Sequence, residues 1–238
     1  MLKIENVEVT GWEHAIRGMR SPMNSWEKSD SKYYNDPIYD EENPLLIHDN
    51  PIFNVGPKDQ QLMMTLSRSG ADHRKFMRMI VVYLDIVAPI YWWKQADQYK
   101  IGTVTNSCST MHKIHAKEFT LEDFSCEHLN FHSIASLNNV IGTLNDFRNI
   151  YLYGGQTYNE NGEWTTFEPK SKYIWWQMIQ ILPSSYNQRR TVMLNYEVLH
   201  NMYHARINHK LDCWHVFCDW IETLPYSELI TNEMAKNS

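Results

Sequence analysis

Arg206 is the side chain whose sequence surroundings point most directly to chemistry. It follows Asn195 by eleven residues in a segment typical of a helix, and it shares one helical face with Asn195, Leu199 and Met202. A guanidinium at the end of an apolar stripe is costly to desolvate unless it meets an anion or a carbonyl. The pattern therefore predicts a ligand-binding arginine, and an ion-paired or surface-reaching arginine is the alternative.

Further polar side chains gather between residues 72 and 112. His73 precedes an apolar segment, where it is either a pocket contact or a capping or surface residue. Gln95 and Gln98 are three residues apart in a predicted helix that also carries Tyr91, so they are expected to share a face. Amides beside an aromatic ring suit the edge of a nucleobase or a flavin, and they equally suit a subunit interface.

The segment after that helix offers hydroxyl and amide hydrogen bonds from Asn106, Ser107 and Ser109. Cys108 lies among them, but no neighbouring Cys–His arrangement supports a nucleophile. A scattered group of possible metal ligands matches no standard zinc spacing, so no metal site is predicted. These residues are His112, His115, Cys126, His128 and His132.

Composition limits the class of protein. A chain of 238 residues that is 43% hydrophobic can bury the core of one large domain, and a net charge of −6 does not favour a broad contact with extended nucleic acid. No GxGxxG or GxxxxGK[ST] motif occurs, which argues against a Rossmann domain or a P-loop enzyme. Four cysteines without a CxxC pair, no signal peptide and no apolar membrane span predict a soluble cytoplasmic protein.

The elements that position these residues follow from apolar periodicity and turn residues. Strands are predicted at residues 2–10 and 79–87, and the second is apolar on both faces, as in a central covered strand. Residues 20–60 suggest an irregular arm or insertion of the kind that covers a partner subunit, and residues 101–112 suggest a loop across a ligand. Helices are predicted at 12–19, 58–69 (closed by Gly70), 90–100, 133–152, 172–182, 195–208 and 211–223.

Taken in order, these features resemble the flavin-dependent thymidylate synthase family, ThyX. That family has an acidic residue and a histidine before a strand, an Ala-Pro-Ile-aromatic run after it, and a glutamine on the next helix. This chain has Asp72-His73, Ala88-Pro89-Ile90-Tyr91 and Gln95 at matching spacing.

A second block, far along the chain, is also similar to the family. The family carries a Leu-Pro pair, a later arginine, an Asn-x-x-x-Leu helix start, an asparagine and an arginine on that helix, and a tryptophan soon after. The corresponding residues here are Leu182-Pro183, Arg189, Asn195, Leu199, Asn201, Arg206 and Trp214. The resemblance spans residues 62–224.

The resemblance implies an α/β (α+β) fold, with a twisted sheet flanked by helices and a helical C-terminal part, in one domain over residues 1–238. It implies a homotetramer with FAD in clefts shared between subunits, and reductive methylation of dUMP with NADPH as reductant and methylenetetrahydrofolate as carbon donor. Uracil C5 is a weak nucleophile until negative charge on the ring carbonyls is stabilised. Genes of this kind are common in phages.

Residue roles also follow from the resemblance. Arg206 is expected to stabilise charge on the uracil ring, with Ser109 and His73 as the other catalytic residues. The expected FAD contacts are Asn201, Asn195, Lys100 and His73. The expected substrate contacts are Gln95, Gln98, Ser107, Ser109, Arg206 and Arg189.

Four short stretches of the chain depart from the family pattern. Gln98-Tyr99-Lys100 replaces Arg-His-Arg, Asn106-Ser107 replaces Asn-Glu, Met111-His112 replaces Arg-Tyr, and Ile179 replaces an arginine. Three of the lost arginines, at Gln98, Met111 and Ile179, belong to the family's phosphate pocket, where each charged hydrogen bond is worth about 1.5–3 kcal/mol. Binding of dUMP is expected to weaken by orders of magnitude unless Arg189, Arg190 or Lys113 substitutes.

Two hypotheses follow. The first is a divergent FAD-dependent enzyme that methylates or otherwise modifies a dUMP-like pyrimidine nucleotide. The alternative is a catalytically inactive ThyX-fold protein that binds a ligand or supports assembly, and the lost arginines favour it. A metal-dependent hydrolase that uses the histidines ranks third.

Overall fold

A computed structural model describes residues 2–35, 38–39, 47–48 and 51–232. Its strands are β1 (Lys3–Thr10), β2 (Lys32–Asn35), β3 (Ile38–Tyr39), β4 (Ile47–His48), β5 (Pro51–Asn54), β6 (Val81–Pro89), β7 (Val104–Ser107), β8 (Gly155–Tyr158), β9 (Trp164–Phe167) and β10 (Asn187–Asn195). Its α-helices are α1 (Trp12–Arg20), α2 (Pro57–Arg68), α3 (Ile90–Ala96), α4 (Thr110–Lys113), α5 (Phe131–Tyr153), α6 (Lys172–Ile181), α7 (Tyr196–Arg206), α8 (Asp212–Glu222) and α9 (Glu228–Thr231). The predicted α/β (α+β) class with a helical C-terminal part is confirmed.

The largest sheet has four strands in the order β1-β6-β10-β7. Strand β6 has a neighbour on each side, which confirms its predicted central position. The expectation that both faces of β6 are covered is wrong for one face: Val82 and Leu84 are buried, whereas Tyr83 between them is 45% exposed. Alternate residues of a strand point to opposite faces, so the aliphatic face packs inward and Tyr83 keeps its hydroxyl in water.

The chain forms two compact units, each assembled from separate segments. Unit 1 comprises Met1–Glu5, Asp85–Gln98 and Thr105–Thr191, and unit 2 comprises Asn6–Leu84, Tyr99–Val104 and Val192–Ser238. Each unit contains part of every strand of the four-stranded sheet, so the division does not follow the order of the sequence. A single domain over residues 1–238 stays a prediction.

Helices α5 and α6 pack against each other in unit 1. The apolar cluster of this unit contains Ile114, Phe119, Phe124, Leu137, Ile141, Leu144 and Met178. Between the helices, the chain forms an antiparallel hairpin of β8 and β9. The Asn159 side chain closes it by accepting hydrogen bonds from the backbone N–H groups of Asn161 and Glu163, each at 2.9 Å.

The helices of unit 2 confirm most of the boundaries predicted for them. Helix α2 has Pro57 in its first turn and is followed by Gly70 in a left-handed conformation (φ 101°), which a residue with a Cβ rarely adopts. Helix α7 starts after Asn195, whose side-chain oxygen accepts a hydrogen bond from the Val198 N–H at 3.0 Å. The fully buried side chains of this unit include Met63, Tyr196, Leu199, Trp214, Phe217 and Leu229.

The predicted arm over residues 20–60 contains two short antiparallel ladders. Asn35 of β2 pairs with Pro51 of β5, and Ile38 of β3 pairs with His48 of β4. Ile38 follows Asn35 by three residues and His48 precedes Pro51 by three, so the two ladders share one register. Residues 36–37, 40–46 and 49–50 of the arm lie outside the described residues. Its role stays a prediction, but its described part contains short strands and two 3₁₀ turns besides irregular chain.

Buried Asp59 of α2 anchors the start of this arm. Its carboxylate accepts hydrogen bonds from Arg20 Nε, Ser29 Oγ and Ser31 Oγ, each at 2.6 Å, and from two backbone N–H groups. Both Asp59 and Arg20 are shielded from solvent. Burial raises the pKa of the Asp59 carboxyl, but the hydrogen bonds from Ser29, Ser31 and Arg20 outweigh burial and hold this pKa below its ordinary value.

Two predictions between residues 90 and 112 are wrong. Helix α3 ends at Ala96 rather than near 100, so Gln98 lies beyond the helix and shares no helical face with Gln95. The predicted loop at 101–112 contains strand β7 and the short helix α4. The surrounding Gly, Ser and Asn residues are typical of a loop, and they led to the wrong prediction. Val104 and Thr105 are β-branched and favour the strand.

Candidate functional site

Arg206 lies at the end of α7 against two aromatic rings of unit 2. Its guanidinium carbon is 5.5 Å from the centre of the Tyr99 ring and 4.9 Å from that of Trp214, distances at which a cation is attracted to a ring face. Its Nε donates a hydrogen bond to the Tyr99 hydroxyl oxygen at 3.0 Å. Trp214 is fully buried on α8, so it provides a fixed surface for the cation. We call these three residues the arginine cage.

No carboxylate in the described ranges pairs with Arg206. Among the described residues Arg206 forms no ion pair, although it lies in the last turn of a helix, where cations are favoured. Burial and neighbouring cations, Arg206 and Lys210 among them, lower the pKa of His209. Arg206 and Lys210 thus add positive charge next to His209, and Arg206 is available to an anion or a carbonyl oxygen.

The segment from Tyr99 to Val104 lies along α7. Gly102 has a left-handed backbone (φ 78°), and a Cβ on it would come within 2.7 Å of Asn195 Nδ2, so only glycine permits this approach. In the same segment the hydroxyl oxygen of Thr103 is buried and has no hydrogen-bond partner among the described residues. The segment thus presents an unused polar group beside the start of α7.

The residues predicted to bind the cofactor have different roles in unit 2. Asn195 is buried and its oxygen is used to cap α7, whereas Asn201 and Lys100 are exposed. His73 is exposed at the start of a 3₁₀ turn. The adjacent Arg74 donates from Nε to both carboxylate oxygens of Glu197 on α7, each at 3.1 Å, and this ion pair holds the His73 segment on α7.

Unit 1 contains a cavity of about 780 Å³, a volume ordinary for a small-molecule site. Ser109 and Arg189, both predicted substrate contacts, line it together with Lys113 and Cys108. Ser109 also caps α4, because its hydroxyl oxygen accepts a hydrogen bond from the His112 N–H at 3.1 Å. Of the other predicted substrate contacts in this unit, Gln98 and Ser107 are exposed and Gln95 is half-buried.

Arg189 on β10 is already engaged by carboxylates. Its Nη2 lies 2.8 Å from Asp85 Oδ2 and 3.1 Å from Glu5 Oε2. The hydrogen bond to Asp85 and the charge of Asp85 raise the pKa of Arg189. Arg189 therefore contributes little net positive charge to the cavity.

Arg190 is a well-placed side chain to which the sequence assigned no structural role. Its guanidinium carbon lies 4.1 Å above the Trp93 ring, its Nη1 is 2.6 Å from Asp97 Oδ1, and its Nε donates to Gln188 Oε1 at 3.0 Å. The first half of β10 is charged and polar, so apolar periodicity did not predict this strand. The available signal for a strand was the period of two residues that Arg190, Val192 and Leu194 share.

Two of the positions that replace family arginines have ordinary structural roles. Ile179 packs against the apolar cluster of unit 1, where a guanidinium would be unpaired. Met111 is 46% exposed, and its carbonyl accepts a hydrogen bond from Trp175 Nε1 at 2.9 Å. Neither position offers a contact for a phosphate.

Other kinds of site have less support. Within the described ranges, no group of three or more His, Cys, Asp and Glu side chains is placed to hold a metal ion. None of the four cysteines forms a disulfide within the described residues. No helix in the part of the chain that the structure describes is long and apolar enough to cross a membrane.

Solved structures share this arrangement of elements. Flavin-dependent thymidylate synthase ThyX from Helicobacter pylori, complexed with FAD and dUMP, superposes with a TM-score of 0.61 at 12% identity, covering 97% of this chain and 98% of that one. This chain has a ThyX-like fold. A second structure of the H. pylori enzyme with FAD and dUMP gives a TM-score of 0.60 at 13% identity and covers 98% of each chain.

A third neighbour of the ThyX-like fold is the UMP/dUMP methylase PolB from Streptomyces cacaoi, bound with 5-Br dUMP. Its TM-score is 0.57 at 11% identity, with 98% of this chain and 95% of that one covered. No protein-family model and no curated protein matches this sequence. At these identities the likeness establishes the fold, and the chemistry depends on the residues of this chain.

Proposed function

We propose that this chain is a divergent ThyX-like flavoenzyme that modifies C5 of a pyrimidine, with a dUMP-like nucleotide as the first substrate to test. The observation that carries the proposal is Arg206, a cation held on two aromatic rings with no carboxylate partner among the described residues. The fold supports it, because the structural neighbours were crystallised with FAD and dUMP or with 5-Br dUMP.

Arg206 has the chemistry that activation of a pyrimidine ring requires. Its Nε is used by Tyr99, which leaves the N–H groups of both Nη atoms for a ligand. Donation to a ring carbonyl oxygen stabilises negative charge on that oxygen, and this charge makes C5 nucleophilic. The aromatic rings orient the guanidinium without neutralising it. In this proposal Arg206 polarises the pyrimidine.

Unit 2 also has groups that fit a flavin. Lys100 and Asn201 are exposed, so a cation and an amide are available to phosphate and ring oxygens. A bound flavin supplies hydride chemistry. Lys100, Asn201 and His73 would hold it, while Asn195 keeps α7 and the Gly102 backbone in place. NADPH, methylenetetrahydrofolate and the homotetramer stay predictions.

The second candidate is a ThyX-fold module that binds a ligand without catalysis. Arg189 and Arg190 favour this candidate because they are engaged by Asp85, Glu5 and Asp97, which leaves them poorly suited to replace the lost phosphate arginines. The two candidates share the arginine cage and differ in whether flavin is bound and reduced.

Absorbance of the purified protein tests the proposal. The expected result is a flavin spectrum, either as purified or after addition of FAD and removal of the excess, together with a higher melting temperature in the presence of dUMP. Arg206→Ala should lose the dUMP effect and keep the flavin, while Arg78→Ala, a change at an exposed arginine, should keep both. A colourless protein that takes up no FAD and is not stabilised by dUMP would refute it.

A further inference from the structure

Tyr99 has a hydrogen-bonding group that the fold does not use. A phenol oxygen can accept hydrogen bonds and donate one. The Tyr99 oxygen accepts from Arg206 Nε at 3.0 Å, and its own O–H has no acceptor among the described residues. The side chain is half-buried, so the hydroxyl lies at the edge of the arginine cage rather than deep in the core.

Arg206 and Tyr99 therefore present donors at one place. The guanidinium keeps four N–H groups on its two Nη atoms, and the phenol adds one O–H next to Nε. Trp214 is fully buried and lies 4.9 Å from the guanidinium carbon, so it restricts the orientation of the cation. Donors fixed in this way need little reorganisation when a charge develops on a ligand.

We infer that Tyr99 is a second ligand-contacting residue, and that Tyr99 and Arg206 together bind a carbonyl oxygen carrying negative charge on a heterocyclic ring. The inference deepens the proposed function and rests on it, because it names the ligand as a ring whose carbonyl oxygens become anionic. Tyr99 stands where the resembled family has a histidine.

The hydrogen bond between the two residues strengthens this role. Donation from a cation to the phenol oxygen draws electron density from it and makes its O–H a stronger donor. The phenol oxygen in turn holds Nε and so aims the Nη atoms. A neutral carbonyl gains little from such a pair, whereas an anionic oxygen gains a charge-assisted hydrogen bond from each donor.

Uracil and barbiturate distinguish the binding of a neutral ring carbonyl from the binding of an anionic one. Barbiturate is a close relative of uracil that is an anion at neutral pH, with its charge spread over the ring carbonyl oxygens. Isothermal titration of the full chain with each base should show a preference for barbiturate of about 10-fold or more, since a hydrogen bond to a charged group contributes about 1.5–3 kcal/mol. Equal affinities, or no binding of barbiturate, would overturn the inference.

Tyr99→Phe removes the hydroxyl and keeps the ring. The expected result is that the ratio of barbiturate to uracil affinity falls about 10-fold, while the unfolding free energy changes little. Tyr83→Phe, which removes an exposed tyrosine hydroxyl on β6, is the matched control and should keep the wild-type ratio. If Tyr99→Phe fails to fold, Tyr99→Leu takes its place with the same expected ratio. An unchanged ratio in the Tyr99 variant would contradict the assignment.

These titrations need no flavin, so the two proposals can fail separately. A protein that takes up no FAD but prefers barbiturate through Tyr99 would refute the redox function and keep the anion-binding pair. A flavin-containing protein without this preference would keep the redox function and remove Tyr99 from the site.

Discussion

Arginines of units 1 and 2 differ in what surrounds their charge. In unit 1, Arg189 and Arg190 lie 2.8 and 2.6 Å from aspartate oxygens. In unit 2, Arg206 lies on the faces of Tyr99 and Trp214 and forms no ion pair with a described residue. A carboxylate partner largely neutralises an arginine, so such a pair stabilises the fold but attracts an anionic ligand only weakly. An arginine bound to aromatic rings keeps its charge.

This difference helps to rank the residues on which the function depends. The sequence alone made Arg189, Arg190 and Lys113 equal candidates to replace the lost phosphate contacts. The carboxylates around Arg189 and Arg190 lower their rank, and Lys113, which lines the cavity of unit 1, becomes the better candidate. Substitutions of engaged charges should therefore change stability, and substitutions of the arginine cage should change ligand binding.

Asp59 is a fully buried charge with an ion-pair partner, and its substitution should have the largest effect on stability. Asp59→Ala leaves the Arg20 guanidinium buried without its partner, and it removes the acceptor for Ser29 and Ser31. Breaking a buried ion pair typically costs about 3–5 kcal/mol. Urea unfolding of Asp59→Ala should show a loss of this size. A loss no larger than that of Lys58→Ala, at the exposed neighbouring position, would contradict it.

Acid should reproduce this loss gradually. The folded-state pKa of Asp59 lies below its ordinary value of 3.8, so folding favours the ionised form. The stabilisation is fully present above the unfolded-state value and is lost as the pH falls through the lower, folded-state pKa. Unfolding free energies measured from about pH 5 to about pH 2.5 should fall less steeply in Asp59→Asn than in the wild type. Parallel curves would show that other groups cause the acid sensitivity.

Arg190→Ala should have the next largest effect. The substitution removes the ion pair with Asp97, the hydrogen bond to Gln188 and the stacking on Trp93. Asp97 is half-exposed and can be rehydrated, so we expect a loss of about 2 kcal/mol rather than the cost of a fully buried pair. Denaturant unfolding measures it. The dUMP-induced shift in melting temperature should stay as in the wild type, and its loss would place Arg190 in the site.

Arg189→Ala should destabilise less than Arg190→Ala, although the two residues are neighbours on one strand and both pair with aspartate. The Arg189 side chain is 44% exposed and that of Arg190 is 14% exposed, and water screens the more exposed pair. Unfolding of the two variants side by side measures the difference. A larger loss for Arg189→Ala would show that the Glu5–Arg189–Asp85 network is more strongly coupled than its exposure indicates.

Periodicity predicted most of the fold because the larger elements bury one face. Helices α5 to α8 and strand β6 carry regular apolar patterns, and their positions were predicted to within a few residues. Strand β10 was missed because its first half carries Gln188, Arg189 and Arg190, and these residues are compatible with a strand only through partners far along the chain. Helix α3 was predicted too long, because no local pattern marks its end at Ala96.

Site prediction from sequence was limited by the same non-local contacts. The stripe on α7 and the cost of burying a guanidinium were enough to select Arg206. The pairing of Arg206 with Tyr99 joins residues 107 positions apart, and the engagement of Arg189 by Asp85 joins residues 104 apart. Spacing along the chain contains no information about such pairs. The roles of all the predicted site residues, Arg206 included, stay predictions.

Arg206→Ala should have a small effect on stability and a large effect on ligand binding. The side chain has no ion pair to lose among the described residues, and its contact with each of the two rings contributes about 0.5–1 kcal/mol. Loss of a charged donor to a bound ring should weaken dUMP binding by about 10- to 150-fold, which corresponds to about 1.5–3 kcal/mol. Urea unfolding and titration with dUMP, with Arg190→Ala as the reciprocal control, measure both quantities. If Arg206→Ala instead loses stability like Arg190→Ala and keeps dUMP binding, the cage is structural and the contrast between the two regions fails.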